Sequence, residues 1–387
     1  MKSRSVSVVL NEIILCLLLT YYYLYNTYIF LPTEIFSVSI ATIIMIVLIV
    51  FFSILVTFRH YKTFSYIEYL LIGLLILYAV LGSRITQELW FKNTPLYWGV
   101  FSVFMGIMMS RDRDIHPLVF WTPLIVVLVS IIFEIWRNLG NAMEGQIGTL
   151  NRNSFAMMAS TYGMLIIMNY VIKKRLHSKL SLLFPFILLL INFYSKSRAG
   201  LLIAMMLIVF VYGDFSIGLI RRNWTIREHR KRTIRLIFVC LILILMFLLI
   251  VIFNSRLKSM GMESNGRVEI YSSFLKELNF KKFFTGFTPS ILQEFDHLHN
   301  SFFQLIAISG ILSVPMFVII FMAVRYLLID RNFLVLLIGL IFAYSLVEHY
   351  MFLRYGDLIL FPLIVFSFYE HRTKHRQQDI ELKDSKS

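Results

Sequence analysis

Charge is scarce in this chain. Asp, Glu, Lys and Arg make up 15% of its 387 residues, against about a quarter in an ordinary soluble domain. Hydrophobic residues make up 58% and the mean hydropathy is +0.76, which excludes a soluble globular domain and leaves a polytopic membrane protein. Cysteine is nearly absent. Cys16 and Cys240 both lie in apolar runs, so they supply neither a disulfide framework nor metal-ligand spacing. Nothing resembles a nucleotide-binding loop, a Rossmann fingerprint or a hydrolase triad. Acidic residues are the rarer charge, 22 against 37 basic, for a net +15. The basic residues cluster between apolar runs, so they report topology rather than a nucleic-acid partner.

What is abundant is apolar sequence long enough to cross a bilayer. About twelve spans of roughly twenty residues or somewhat fewer are expected. They fall near 9–30, 36–57, 64–82, 95–109, 117–135, 153–172, 180–195, 199–219, 236–253, 301–328, 332–350 and 356–369. The first run follows Met1–Arg4, is too long for a signal peptide and lacks a small-residue cleavage site, so it is read as a span. Short connections rich in Lys and Arg stay in the cytoplasm. These are Arg59 and Lys62, Arg111 and Arg113, Lys173–Arg175 with Lys179, the run from Arg221 to Arg235, and Arg372, Lys374 and Arg376. The 221–235 run is read as an orienting loop that meets anionic headgroups. The other face then carries 83–94, 136–152, 196–198, 254–300 and 351–355. The expected organisation is one transmembrane domain, 1–370, with a large external loop at 254–300 containing short helices. Residues 371–387 are read as a disordered cytoplasmic tail.

The external residues that can carry chemistry stand out because the charge bias works against them. Arg198, in Ser197-Arg198-Ala199-Gly200, is wedged between two spans, where an ionisable side chain is a functional candidate or snorkels to lipid phosphate. Arg267 follows Gly266 and opens a segment whose Val268, Tyr271, Phe274, Leu275 and Leu278 recur at helical spacing. That places Arg267 in a first helical turn, where backbone N–H groups also favour an anion. His299 sits at a span mouth, and an imidazole there can act as a base near neutral pH. His297 is two residues away, but no third ligand has metal spacing. Asn300 or Ser301 suits a helix cap better than His299 does. Glu348 and Arg354 flank the last external turn, where the plain expectation is an ion pair with Arg354 or another external arginine. Guanidinium forks match pyrophosphate oxygens.

With these residues in place, the chain resembles the O-antigen ligase and polymerase superfamily of bacterial envelope glycosyltransferases. The resemblance rests on Ser197-Arg198-Ala199-Gly200-Leu201-Leu202, on Gly266-Arg267 leading a loop helix, and on His299-Asn300-Ser301-Phe302-Phe303-Gln304 running to Gly310. Asn151-Arg152-Asn153-Ser154 before a span is also similar. The resemblance implies an all-α, GT-C-like membrane fold, no metal or other cofactor, and a place in the bacterial inner membrane with a periplasmic active site. It implies an undecaprenyl-pyrophosphate-linked glycan as donor and a lipid-linked repeat unit or lipid A–core as acceptor, with a chain-length regulator as a further partner. Carried over, Arg198 and Arg267 bind the donor pyrophosphate and His299 activates the acceptor hydroxyl. Glu348, Arg354, His297 and Asn300 support them.

Three functions compete. A polymerase moves the growing chain onto the next repeat unit, whereas a ligase moves the finished chain onto lipid A–core. Where ligases often carry a second glycine after Gly310, this chain has Ser313, which favours the polymerase. A polysaccharide or lipid transporter would instead place charges at mid-depth along the bundle.

Overall fold

A bilayer offers no water to backbone N–H and C=O groups, so apolar runs of this length close their hydrogen bonds within helices. The computed structural model describes residues 6–29, 35–86, 94–112, 114–137, 152–173, 179–195, 197–222, 267–293, 298–330 and 332–384, with Arg152, Arg198 and a number of other residues, mostly at helix ends, described by backbone alone. In chain order the α-helices are α1 (Val6–Leu24), α2 (Ile35–His60), α3 (Tyr66–Thr86), α4 (Thr94–Arg111), α5 (Leu118–Arg137), α6 (Arg152–Ile172), α7 (Lys179–Tyr194) and α8 (Arg198–Arg222). They continue as α9 (Arg267–Glu277), α10 (Phe280–Thr285), α11 (Ser301–Ser309), α12 (Val314–Ile329), α13 (Val335–Val347) and α14 (Asp357–Asp384). No strand occurs among the described residues. Six stretches are helical, long and apolar enough to cross a membrane, from Val6–Thr27 to Ser301–Ile329, and three shorter apolar helices accompany them. The expected span at 236–253 and most of the basic run at 221–235 lie outside the described residues.

The middle of the bundle is α4, α6 and the first half of α14. From Phe155 to Tyr170 every residue of α6 is buried, as a helix apolar on all sides requires. Helix α14 packs most extensively on α4. They approach so closely at Gly106 that a Cβ there would lie 2.7 Å from Pro362 Cα. Small residues at such crossings let helix backbones meet inside a membrane. The outer helices are apolar on the face turned away from the protein too: Ile43, Val47, Val50 and Ile54 of α2 are exposed.

Hydrogen bonds tie the turns at one end together. Arg59 at the end of α2 binds Asp112 at 2.9 Å, and Arg111 reaches Glu68 Oε1 at 2.8 Å and the Thr63 carbonyl at 2.8 Å. Arg372 of α14 donates to the same carbonyl. Three of the connections expected to share a face therefore meet at one end. The opposite end carries the candidate site.

The span expected at 301–328 is found as Ser301–Ile329, but broken within: α11 ends at Gly310 and a tight turn through Ser313 leads into α12. Gly310 has φ 54°, and a Cβ there would meet Gly286 N at 2.5 Å and the Phe283 and Phe284 carbonyls at 2.8 Å. The loop helix α10 thus leans its C-terminal turn on the break. One expectation changes: the segment after Glu370 continues α14 to Asp384 rather than forming a disordered tail. Side chains hold it there: Lys374 reaches Asp330 at 3.5 Å and Glu370 at 3.7 Å, and His371 stacks on Tyr326 with centroids 4.0 Å apart.

Candidate functional site

Helix α9 begins at Arg267, as its pattern predicts, and is docked by a small core of its own. Ile270 and Phe274 are fully buried with Leu298 and Ala307. Phe274 stacks on Phe303 of α11 at 4.5 Å and 13°. Val268 and Leu275, expected on the packed face, are instead exposed. The buried stripe is therefore Ile270–Phe274, with Tyr271 and Leu278 at its edges. This stripe turns Arg267 toward the C-terminus of α13.

There it meets Glu348. The Glu348 side chain is only 5% exposed, and Arg267 Nη2 lies 2.5 Å from its Oε1. His299 Nδ1 faces the other carboxylate oxygen, Oε2, at 3.3 Å. Asn153, one residue into α6, donates from Nδ2 to Oε1 at 3.4 Å. One carboxylate thus gathers an arginine, a histidine and an amide from three distant parts of the chain. Of the partners expected for Glu348, Arg354 or another external arginine, it is the second that pairs with it. Arg354 points elsewhere, its Nε 3.2 Å from His349 Nδ1, while Arg267 takes the carboxylate.

His299 is held by its backbone. Its φ of 49° is left-handed, a conformation uncommon for residues other than glycine, asparagine and aspartate. Tyr271 Oη lies 2.9 Å from its carbonyl and 2.7 Å from that of Leu346, shared acceptors for one O–H. Burial pushes the Tyr271 hydroxyl up, with Arg267 opposing and Glu348 adding, so it remains a protonated donor. The next residue, Asn300, caps α11: its Oδ1 accepts from Phe302 N at 3.0 Å and Phe303 N at 3.1 Å. Its Nδ2 donates to the Leu346 carbonyl at 3.2 Å. Ser301 Oγ donates to the Glu348 carbonyl and accepts from the Tyr350 and Met351 N–H groups. The mouths of α11 and α13 are therefore stitched together around the His299–Glu348 contact.

Arg198 is the first residue of α8, with Ser197 before it as cap; Gly200 N donates to Ser197 Oγ at 3.3 Å. Its side chain lies outside the described residues, as does all of His297. Helix α8 packs on α13, and buried Tyr344 lies within interaction range of Ser197, Glu348 and Arg267. The start of α8 is thus at the same end as the carboxylate.

Arg354 sits in a strained turn. Phe352 and Leu353 have φ of 61° and 67°, each costing roughly 1–3 kcal/mol. Asp357 offsets this by accepting from the N–H groups of Phe352 at 2.8 Å, Leu353 at 2.6 Å and Arg354 at 3.2 Å. In the sequence Ser301 figures only as a helix cap beside Asn300, and Tyr271 only as part of an apolar stripe; Asn153 and Asp357 have no role there. Asn153 carries a signal through its place in Asn151-Arg152-Asn153-Ser154. Among the described residues no group of three His, Cys, Asp or Glu converges as a metal site.

These observations define a helical membrane protein with an arginine–carboxylate–histidine cluster at one end of its bundle. No family model, curated protein or solved structure matches the chain.

Proposed function

We infer that the chain is a membrane glycosyltransferase of the O-antigen ligase and polymerase type. It joins lipid-pyrophosphate-linked repeat units on the periplasmic side of the bacterial inner membrane. In this reading about twelve spans form a GT-C-like bundle, with the basic end in the cytoplasm. The observation that carries the reading is Glu348 holding Arg267 and His299 side by side, since a transfer from a pyrophosphate needs both a cation and a base.

The chemistry is a single in-line displacement. The acceptor oxygen bonds to the anomeric carbon as the bond from that carbon to the pyrophosphate oxygen breaks, and the configuration inverts. Arg267 spends one terminal nitrogen on Glu348 and is 31% exposed, so its remaining N–H groups can face phosphate oxygens in bidentate fashion. Arg198 adds a second cation. The two offset charge growing on the departing pyrophosphate. With Nδ1–H donated to Glu348, neutral His299 carries its lone pair on Nε2, where it takes the acceptor proton. Base catalysis of this kind contributes about 10²–10⁴ in rate. Glu348 holds the neutral ring in this tautomer and then balances the imidazolium.

The test is the envelope glycan ladder of cells lacking the chain, complemented with wild type or Arg267→Ala at equal protein level. Single repeat units on core, uncorrected by Arg267→Ala, support the polymerase. Bare core with long glycan on the carrier lipid makes it a ligase, and an unchanged ladder overturns the transferase reading.

A further inference from the structure

The loop helix α10 carries a surface that the chemistry above leaves unused. Its sequence is Phe280-Lys281-Lys282-Phe283-Phe284-Thr285, and the Phe283 and Phe284 carbonyls press on Gly310 in the turn before α12. Just after it, Phe287 N–H donates to the Ala307 carbonyl of α11 at 2.8 Å. One side of α10 is thus fixed to the bundle. The other side is apolar and open: Phe280 is 80% and Phe284 46% exposed, with ring centroids 4.6 Å apart. Leu275, in the last turn of α9, is exposed as well. Adjoining apolar side chains left open in this way mark a contact surface more often than single ones do.

Position and charge together say what covers it. The rings of Phe302 and Phe317 are 6.0 Å apart, whereas a straight helix would separate the two residues by roughly 22 Å along its axis. The chain therefore bends sharply at the turn on which α10 rests. From that turn onward Leu312, Val314, Val318 and Phe321 are all exposed, as the lipid-facing side chains of a span are. Helix α10 accordingly stands where the lipid-facing side of α12 begins, at the level of the headgroups. Lys282 is spent within the loop, 3.4 Å from Glu277 and over the Phe287 ring. Lys276 and Lys281 are exposed and form no ion pair among the described residues. With Glu269 the one exposed carboxylate on α9, this edge keeps a net positive charge.

Aromatic and aliphatic side chains flanked by unpaired lysines make an interfacial membrane anchor: the rings enter the acyl boundary while the ammonium groups meet anionic headgroups. We propose, independently of the transferase reading, that α10 and the end of α9 dock on the bilayer leaflet at the site end of the bundle. Phe280 and Phe284 sit just beneath the headgroups, and Lys276 and Lys281 lie on the phosphates of anionic phospholipids. The loop is then held on both sides, by lipid along α10 and by the Ile270–Phe274 core of α9. Arg267, at the head of α9, takes its height above the leaflet from these two anchors.

The test is spin-label accessibility in the full-length protein, carrying Cys16→Ser and Cys240→Ser, in nanodiscs of phosphatidylethanolamine and phosphatidylglycerol. Labels go at Phe280→Cys and Phe284→Cys, with Phe321→Cys on α12 as the bilayer reference; all three positions are exposed, so no core is opened. Labels at 280 and 284 are expected to collide more with oxygen, which concentrates in the bilayer, than with a water-soluble nickel chelate, as the label at 321 does. Lys276→Gln and Lys281→Gln should each lower the docked-to-undocked ratio about five-fold. Replacing phosphatidylglycerol by phosphatidylcholine should act in the same direction. If the cysteine changes impair folding, Phe280→Trp in the otherwise native chain gives the same reading through quenching by brominated phospholipid above the wild-type background. Labels that collide mainly with the chelate overturn the docking, because the loop then stands in water. Labels shielded from both reagents also overturn it, since protein, a second copy or another chain, would then cover the surface. Oxygen-dominated labels indifferent to both lysine changes and to the lipid change overturn the contact with anionic headgroups.

Discussion

Glu348→Gln is the most informative single change, because it preserves shape and removes only the charge that Arg267 and His299 share. The contact to Arg267, at 2.5 Å, is charge-assisted and of a kind worth about 1.5–3 kcal/mol. Those to His299 and Asn153, at 3.3 and 3.4 Å, are near the outer limit of hydrogen-bond length and contribute less. Breaking a fully buried pair costs about 3–5 kcal/mol. Arg267 is 31% exposed and His299 28%, so water compensates part of the loss, and the expected destabilisation is about 1–3 kcal/mol. The effect on transfer should be larger. Without the carboxylate neither the Nε2 tautomer nor the imidazolium is favoured, and the rate should fall about 10²–10⁴-fold. The assay is glycan transfer in membranes matched for protein, beside thermal unfolding of the purified protein. A double-mutant cycle with Arg267→Ala should return a coupling of about 0.5–3 kcal/mol in stability. Wild-type transfer by Glu348→Gln, or additive losses in the cycle, would refute the reasoning.

Three further outcomes are expected. Gly310→Ala places a methyl group against three backbone atoms in a left-handed residue and should destabilise by about 2–4 kcal/mol, read as a drop in the midpoint of thermal unfolding; an unshifted midpoint would mean that the loop does not lean on α11. Glu68→Gln removes the charge paired with Arg111 at the opposite end, where both side chains are nearly inaccessible but Arg111 keeps its bonds to Thr63, and should cost about 1–3 kcal/mol while transfer per folded molecule is unchanged. Glu277 is held below the usual glutamate range chiefly by hydrogen bonds from Ser290, with Lys282 helping and slight burial opposing. Because the folded state releases this proton more readily than the unfolded one, the clasp is fully present above the ordinary glutamate pKa and is lost as pH falls through the lower folded value. Protection of the Ser290 amide against hydrogen exchange should therefore decline on acidification below that range, and Glu277→Gln should abolish the dependence.

Much of the site was legible because its parts are local. A helix beginning at Arg267, a cap at Asn300 and a polar residue at each span mouth all follow from patterns a few residues long. The partner of Glu348 was not. Arg354 is six residues away in sequence and Arg267 is 81 away, yet the docking of α9 through Ile270 and Phe274 decides which arginine arrives. Nothing in the local pattern separates Ile270 from Val268 as the buried residue. That choice follows from where α11 presents Phe303 and Ala307. The break at Gly310 was hidden for a similar reason: the run from Ser301 to Ile329 is apolar enough to read as one span, and the approach of Gly286 shows why a helix stops in its midst.

Gly200 shows that a motif read for its arginine makes a second, steric demand. Arg198 draws attention in Ser197-Arg198-Ala199-Gly200, but the steric demand falls on the glycine. A Cβ at Gly200 would lie 2.2 Å from Asn192 Oδ1 and 2.8 Å from Ala156 Cβ. Asn192 is itself fixed, fully buried and donating from Nδ2 to the Leu188 carbonyl at 3.0 Å. Gly200 therefore lets the first turn of α8 press against both α7 and α6, and α6 is the helix that carries Asn153 to Glu348. Gly200→Ala should cost about 1–3 kcal/mol through overpacking. It should also lower transfer in the molecules that remain folded, because α8 and α6 can no longer hold Arg198 and Asn153 at their present spacing. Asn192→Ala in the same chain removes the obstructing oxygen and should recover part of both losses. If Gly200→Ala lowers the amount of folded protein and leaves transfer per molecule intact, the glycine serves packing alone and the start of α8 takes no part in aligning the site.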